Sequence, residues 1–100
     1  MKHSLAIDGD EVVLHVGGEL DALSCPELRP VLDMVVQEGR RAVRVDLSEL
    51  LLIDSSGVGA LVSLYKRVRE KGGAVKFIGV KAQPLVIFKL LRLDRAFELS

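Results

Sequence analysis

The stretch "IDSSGVGAL" (53–61) closes a run of four aliphatic residues, "LLLI" (50–53), with one carboxylate, two hydroxyls and two glycines before apolar residues resume. A chain that passes from apolar residues through small polar ones into a periodic apolar pattern is turning into a helix. Beyond the turn, Val58, Leu61, Val62, Tyr65 and Val68 recur at helical spacing. They predict a helix from about Ser56 to Lys71, with that face inward and Ser63, Lys66, Arg67 and Glu70 in water. Basic residues gather in its later turns, where the helix dipole favours cations, and Gly72-Gly73 ends it.

Outward from this helix, "AVRVDL" (42–47) reads as a strand with Val43, Val45 and Leu47 on one side, and "SELLLID" (48–54) as a connection. Downstream, "AVKFIGV" (74–80) is a strand. A helix follows from near Pro84 to Leu91, with Leu85, Phe88 and Leu91 inward, and "RAFEL" (95–99) reads as a closing edge strand. At the front, "SLAI" (4–7) and "EVVLHV" (11–16) flank "DGD" (8–10), a hairpin signal in which Gly9 is free to take positive φ. Val12, Leu14 and Val16 share one side of the second strand. Ser24 followed by Glu27 matches a capping box, ahead of Leu28, Val31, Leu32, Val35 and Val36 at helical spacing, with Gly39 as the stop. Pro30 leaves two starts open for that helix, Cys25 or Pro30 itself, because an interior proline loses a hydrogen bond. The predicted order is ββαβαβα with a final strand: a single α/β domain over 1–100, its mixed sheet of four to five strands covered by helices.

The chain's 100 residues suffice for one core without metal or disulfide. Hydrophobic residues make up 49%, carried by Val and Leu, and charged residues 28%, which excludes a disordered chain. Fourteen basic residues balance fourteen acidic ones, so there is no electrostatic footprint for direct nucleic-acid binding. The single cysteine, Cys25, excludes an intrachain disulfide and reads as packed, without a role. "MKHSLAIDGD" (1–10) has no apolar signal core, and the longest aliphatic run is far too short to span a bilayer. The expectation is a soluble cytoplasmic protein with no membrane insertion and no cofactor.

Four readings compete for the serine stretch. A serine nucleophile needs a G-x-S-x-G elbow and a base. Here the flanks are Ile53-Asp54 and Gly57-Val58, and the two histidines, His3 and His15, lie in the opening hairpin. A P-loop fails because G-x-x-x-x-G-K-[ST] is absent. Asp21, Asp46 and Asp54 lie near strand ends where they could gather on a cation, but without a recognised ligand spacing. Capping is the local favourite, since Asp and Ser side chains accept from unpaired first-turn N–H groups. Capping leaves Gly57, Gly59 and Ala60 unexplained. Glycine costs roughly 1 kcal/mol relative to alanine in a helix, so two of them imply close approach, by the sheet or by another molecule. A bare helix start also suits a phosphoryl group.

With these residues in view, "DLSELLLIDSSGVGALVSLYKRVREKGG" (46–73) and "GGELDAL" (17–23) resemble the anti-sigma factor antagonists of the STAS domain family, over nearly the whole chain. The resemblance implies the STAS fold and partner switching in place of enzyme activity. An unphosphorylated antagonist binds an anti-sigma factor that is also a serine kinase, which frees a sigma factor. The kinase then phosphorylates the antagonist, and a PP2C-type phosphatase reverses this. The phosphoacceptor implied is Ser55, directly after Asp54. The partner-binding residues implied are Asp21, Ser24, Asp54, Ser56, Gly57 and Gly59. A non-switching STAS subunit of a larger assembly, such as a lipid-transport ATPase complex or a stress-signalling scaffold, is the second reading. Two departures stand out: Arg92 in "LLRLDRAFEL" (90–99) occupies a place where the family often has glycine, and a fourth helix is expected to be absent or reduced.

Overall fold

The structure, a computed structural model, describes residues 1–99. Strand β1 (Lys2–Asp8) and strand β2 (Glu11–Leu20) form the expected hairpin, closed at Gly9 with φ 60°. Helix α1 (Cys25–Glu38), strand β3 (Ala42–Asp46), strand β4 (Leu50–Ile53), helix α2 (Ser55–Glu70), strand β5 (Ala74–Ile78), helix α3 (Ala82–Leu90) and helix α4 (Leu93–Ala96) follow. The sheet runs β1-β2-β3-β5, and β4 pairs with β2. Among the described residues only the β1–β2 pair is antiparallel.

The ten-residue β2 organises the sheet. Its first half pairs with β3 and its last three residues with β4, with a register shift between Gly18 and Glu19. Val12, Leu14 and Val16 are buried on the face that Val43, Val45, Val75 and Phe77 continue, as their alternation requires. The opposite face carries the exposed His15, Arg44 and Lys76. The helices therefore cover one face of the sheet, and the other meets water.

The element order is ββαββαβαα, and it corrects the expected one at two places. "LLLI" is strand β4, not a connection. Its burial pattern is in-out-out-in, so Leu51 and Leu52 stand 63% and 47% exposed and the alternation that marks a strand is absent. Its outer edge is closed by a side chain. Gln83 accepts from the Ile53 N–H at 2.9 Å through Oε1, and its Nε2 donates to the Ile53 carbonyl at 3.0 Å. At the other end, "RAFEL" is not an edge strand. The chain turns at Arg92 into one turn of helix, and Phe97 enters the core, where it stacks on Phe77 at 4.3 Å and meets Phe88 at 5.7 Å. Burial of that ring outweighs pairing at a sheet edge.

Smaller differences have equally local causes. α1 begins at Cys25 and runs through Pro30, whose ring is exposed, so one N–H is lost without a clash in the core. Ser24 holds the N-cap position without a capping bond. Pro26, at the second helical position, has no N–H to give, and the Glu27 N–H goes to the Ser24 carbonyl at 3.0 Å. On α2, Leu64 joins Val58, Leu61 and Val68 in the core, while Val62 and Tyr65 are half-buried. The Tyr65 hydroxyl donates to the Ala96 carbonyl at 3.1 Å and so ties α2 to α4. On α3, Phe88 is buried, Leu85 is half-buried and Leu91 is exposed, because the helix ends one residue earlier than its apolar pattern.

Arg92 takes the left-handed conformation, φ 58°, that a glycine adopts without strain. Arg92→Gly removes that strain but loosens the unfolded chain. The expected net gain is roughly 0.5–1 kcal/mol, read as a higher urea midpoint; a lower midpoint would mean that the arginine's own contacts outweigh the strain.

Candidate functional site

Asp54 organises the turn at which the chain enters α2. Its backbone is extended, and its Oδ1 accepts from the Gly57 N–H at 3.0 Å, a side-chain cap of the kind Asp favours. Its Oδ2 accepts from the Ala22 N–H at 3.1 Å, across 32 residues of chain. One carboxylate thus fixes the start of α2 against the loop that leads from β2 to α1. That loop is ordered from within. Asp21 Oδ1 accepts from the N–H groups of Leu23 and Ser24, both at 3.0 Å, and Ser24 Oγ accepts from the Asp21 N–H at 2.9 Å. The backbone bond from Ser24, opposed by partial desolvation and helped by the Ser24 hydroxyl, holds the Asp21 carboxyl below its ordinary value. Both carboxylates are occupied in holding shape.

The two glycines of the first turn have different environments. Gly57 is buried, and a Cβ there would stand 2.5 Å from the Leu20 carbonyl oxygen and 2.7 Å from Ile53 Cγ1. Its bareness lets α2 close on the ends of β2 and β4, so Gly57, expected on a partner surface, presents nothing to the outside. Gly59 is exposed, and a Cβ there meets nothing within 4 Å. No internal packing requires a glycine at 59.

Ser55 is the first residue of α2 and is exposed; Ser56 is half-buried. Both line an open groove of about 600 Å³ between α1 and α2, with Arg29, Asp33, Gly59, Ser63 and Arg67. Arg67 donates to Asp33 Oδ1 at 2.8 Å and bridges the two helices, a surface pair worth at most about 1 kcal/mol. The structure therefore brings Asp21, Ser24, Asp54, Ser55, Ser56 and Gly59 to one end of the molecule, the first five through the Asp54 link and Gly59 one turn further along α2. Arg29 and Asp33, on the far wall of the groove, escaped the sequence reading. They lie on the polar side of α1, where charges look like ordinary solvated residues.

Neither histidine reaches this groove. His15 stands on the open sheet face with Nδ1 3.2 Å from Asp46 Oδ2, and His3 Nδ1 is 3.7 Å from Glu27. Burial works to raise the Asp46 carboxyl, but hydrogen bonds from Ser48 and the nearby His15 outweigh it, and the net shift is downward. The three aspartates considered for a cation do not gather: among the described residues no cluster of three metal-ligating side chains forms. Cys25 is buried, and burial pushes its thiol up, away from the thiolate form. No helix among the described residues is long and apolar enough to cross a membrane.

The chain is matched over residues 3–99 by a family model described as "Mlab, STAS domain". It is 33% identical over 85 residues to an anti-sigma-B factor antagonist of Staphylococcus aureus, an alignment that covers 85% of this chain and 70% of that protein. It superposes on the crystal structure of an anti-sigma factor antagonist from Mycobacterium paratuberculosis with a TM-score of 0.88 at 23% identity, covering 98% of this chain and 83% of the other. It superposes on the Bacillus cell fate determinant SpoIIAA in its phosphorylated form with a TM-score of 0.79 at 19% identity, covering 99% and 89%. At these identities the two structures establish the fold.

Proposed function

The chain belongs to the STAS domain family, alongside the anti-sigma factor antagonists, and from this premise we propose that it is itself an antagonist that works by partner switching. Unphosphorylated, it binds an anti-sigma factor with serine kinase activity, which releases a sigma factor. The kinase ends the complex by phosphorylating Ser55, and a PP2C-type phosphatase restores the binding form. The observation that carries this reading is the pairing of an exposed Ser55 with Asp54, whose second carboxylate oxygen joins the serine's helix to the 21–24 loop. A partner that rests on both elements would cover the hydroxyl. A phosphate placed there later would meet that partner directly. In the transfer, the Ser55 hydroxyl oxygen bonds to the γ-phosphorus of ATP. The bond to ADP breaks, and the hydroxyl proton leaves to a base on the kinase.

Asp21, Ser24, Ser56 and Gly59 complete the proposed contact surface, with Asp21 and Asp54 acting through the shape they hold. Leu23, 92% exposed on the same loop, is the apolar group placed to anchor a partner. The role is regulatory and requires no catalytic group of its own.

The test incubates purified protein with its cognate kinase and ATP and maps the product by mass spectrometry. Phosphate on Ser55 is expected; phosphate on Ser56 alone would show that the acceptor is the neighbouring serine. No phosphate, together with stable recovery in a lipid-transport ATPase complex or a stress-signalling scaffold, would favour a non-switching subunit.

Gly59 gives a separate expected result. A side chain at 59 enters open space, so Gly59→Ala should stabilise α2 by up to about 1 kcal/mol. Gly59→Arg should leave the fold intact and weaken kinase binding about tenfold or more by bulk. Titration calorimetry beside a melting curve reads both. Normal binding by a folded Gly59→Arg protein would take Gly59 out of the contact surface.

A further inference from the structure

The groove between α1 and α2 is lined by the Arg29 guanidinium as well as by Ser55. Resting on the reading of Ser55 as phosphoacceptor, we propose that Arg29 is the internal counter-charge for phosphorylated Ser55, so that the phosphoryl group settles against α1.

Three observations carry this. First, Arg29 and Ser55 line the same groove, and Arg29 is exposed. Among the described residues Arg29 makes no ion pair, whereas Arg67, the other guanidinium of the groove, is held by Asp33 at 2.8 Å. Second, that held pair marks how the two helices lie side by side. Helical side chains lean toward the N-terminus, so Arg67 meets α1 at the level of Asp33 from a Cα further along α2. Arg29 is four residues, one turn, before Asp33, and leans the same way. Its guanidinium is thereby carried toward the end of the groove where Ser55 and Ser56 stand. Arg67, twelve residues after Ser55, is separated from it by about 18 Å of helical rise and is out of reach. Third, Asp54, the carboxylate beside Ser55, is anchored by two backbone N–H groups and forms no ion pair with Arg29 among the described residues. A phosphate with three acceptor oxygens suits the planar, multi-donor guanidinium better than any other side chain on this surface.

The experiment uses the full chain with phosphoserine installed at position 55 by genetic encoding, so that no kinase is needed. Phosphorus NMR follows the second ionisation of the phosphate with pH, in the folded protein and in the same protein in urea. An unperturbed phosphoserine titrates near pH 6. In the folded protein the midpoint is expected lower than in urea, and Arg29→Gln should raise it by roughly 0.3–0.7 of a unit. Arg29→Lys should recover part of the shift, Arg67→Gln should leave it unchanged, and added salt should shrink it. An Arg29→Gln midpoint equal to that of the parent overturns the proposal, as does a shift that follows Arg67 instead. The two readings fail separately. If no kinase modifies Ser55 but the installed phosphate still titrates low through Arg29, the switch is lost and the pairing stands. If the kinase modifies Ser55 and Arg29 has no effect, the pairing is lost and the switch stands.

Discussion

Ser55→Asp is expected to bind the anti-sigma factor kinase at least tenfold more weakly than the parent, while Ser55→Ala binds it persistently and is not released by ATP. The effect is electrostatic. A phosphoserine carries about −1.5 to −2 charges near neutral pH. Within the free protein that charge is tolerated, because Ser55 is the first residue of α2, where the dipole and unpaired N–H groups favour an anion. In the complex the same charge must be desolvated or pushed aside. An unpaired desolvated charge costs several kcal/mol, and 1.4 kcal/mol is already a tenfold change in affinity. One carboxylate mimics a dianion incompletely, so Ser55→Asp gives the lower bound of the effect. Both variants should melt close to the parent, since the serine is exposed and the capping bond comes from Asp54. Surface-binding kinetics with and without ATP decide the matter. Parent-like affinity in a folded Ser55→Asp protein would count against a switch at this residue.

Leu61→Ala is expected to destabilise the domain by roughly 2–5 kcal/mol, the range for truncating a buried leucine where the surroundings relax only in part. Leu61 is 0% exposed, in the middle of the α2 face turned to the sheet. For a domain of this size each kcal/mol moves the melting temperature by about 4–8 °C, so calorimetry resolves even the lower end. Val62→Ala, one position round the helix and half-buried, should cost distinctly less. Equal losses at the two positions would contradict the orientation of α2.

Periodicity made most of this fold legible. α1, α2 and the alternating faces of β2 and β3 follow directly from where Val and Leu recur, because each is wet on one side and dry on the other. β4 escaped because its apolar residues face both ways, so no period of two exists to read. The last turn of helix escaped for a different reason. "RAFEL" holds one large apolar residue, and whether Phe97 lies along a sheet edge or plugs the aromatic cluster of Phe77 and Phe88 depends on partners distant in sequence. Arg92 in a left-handed turn runs against local preference and is sustained by that cluster. At the site, the capping role of Asp54 was readable from its place before the helix. The Asp54–Ala22 bond and the Arg29 wall of the groove were not, because both depend on how α1 and α2 lie together.

The amide of Gln83 has a bearing on how this protein shares a crowded solution. Equal numbers of acidic and basic residues leave no net repulsion between copies. Without that amide, a strand edge that ends in Leu51, Leu52 and Ile53 would be a template on which another chain could add itself, hydrogen bond by hydrogen bond. By offering a donor and an acceptor to both backbone groups of Ile53, Gln83 takes the place of one residue of the strand that would have added. A chain that met this edge would find both backbone groups of Ile53 already bonded.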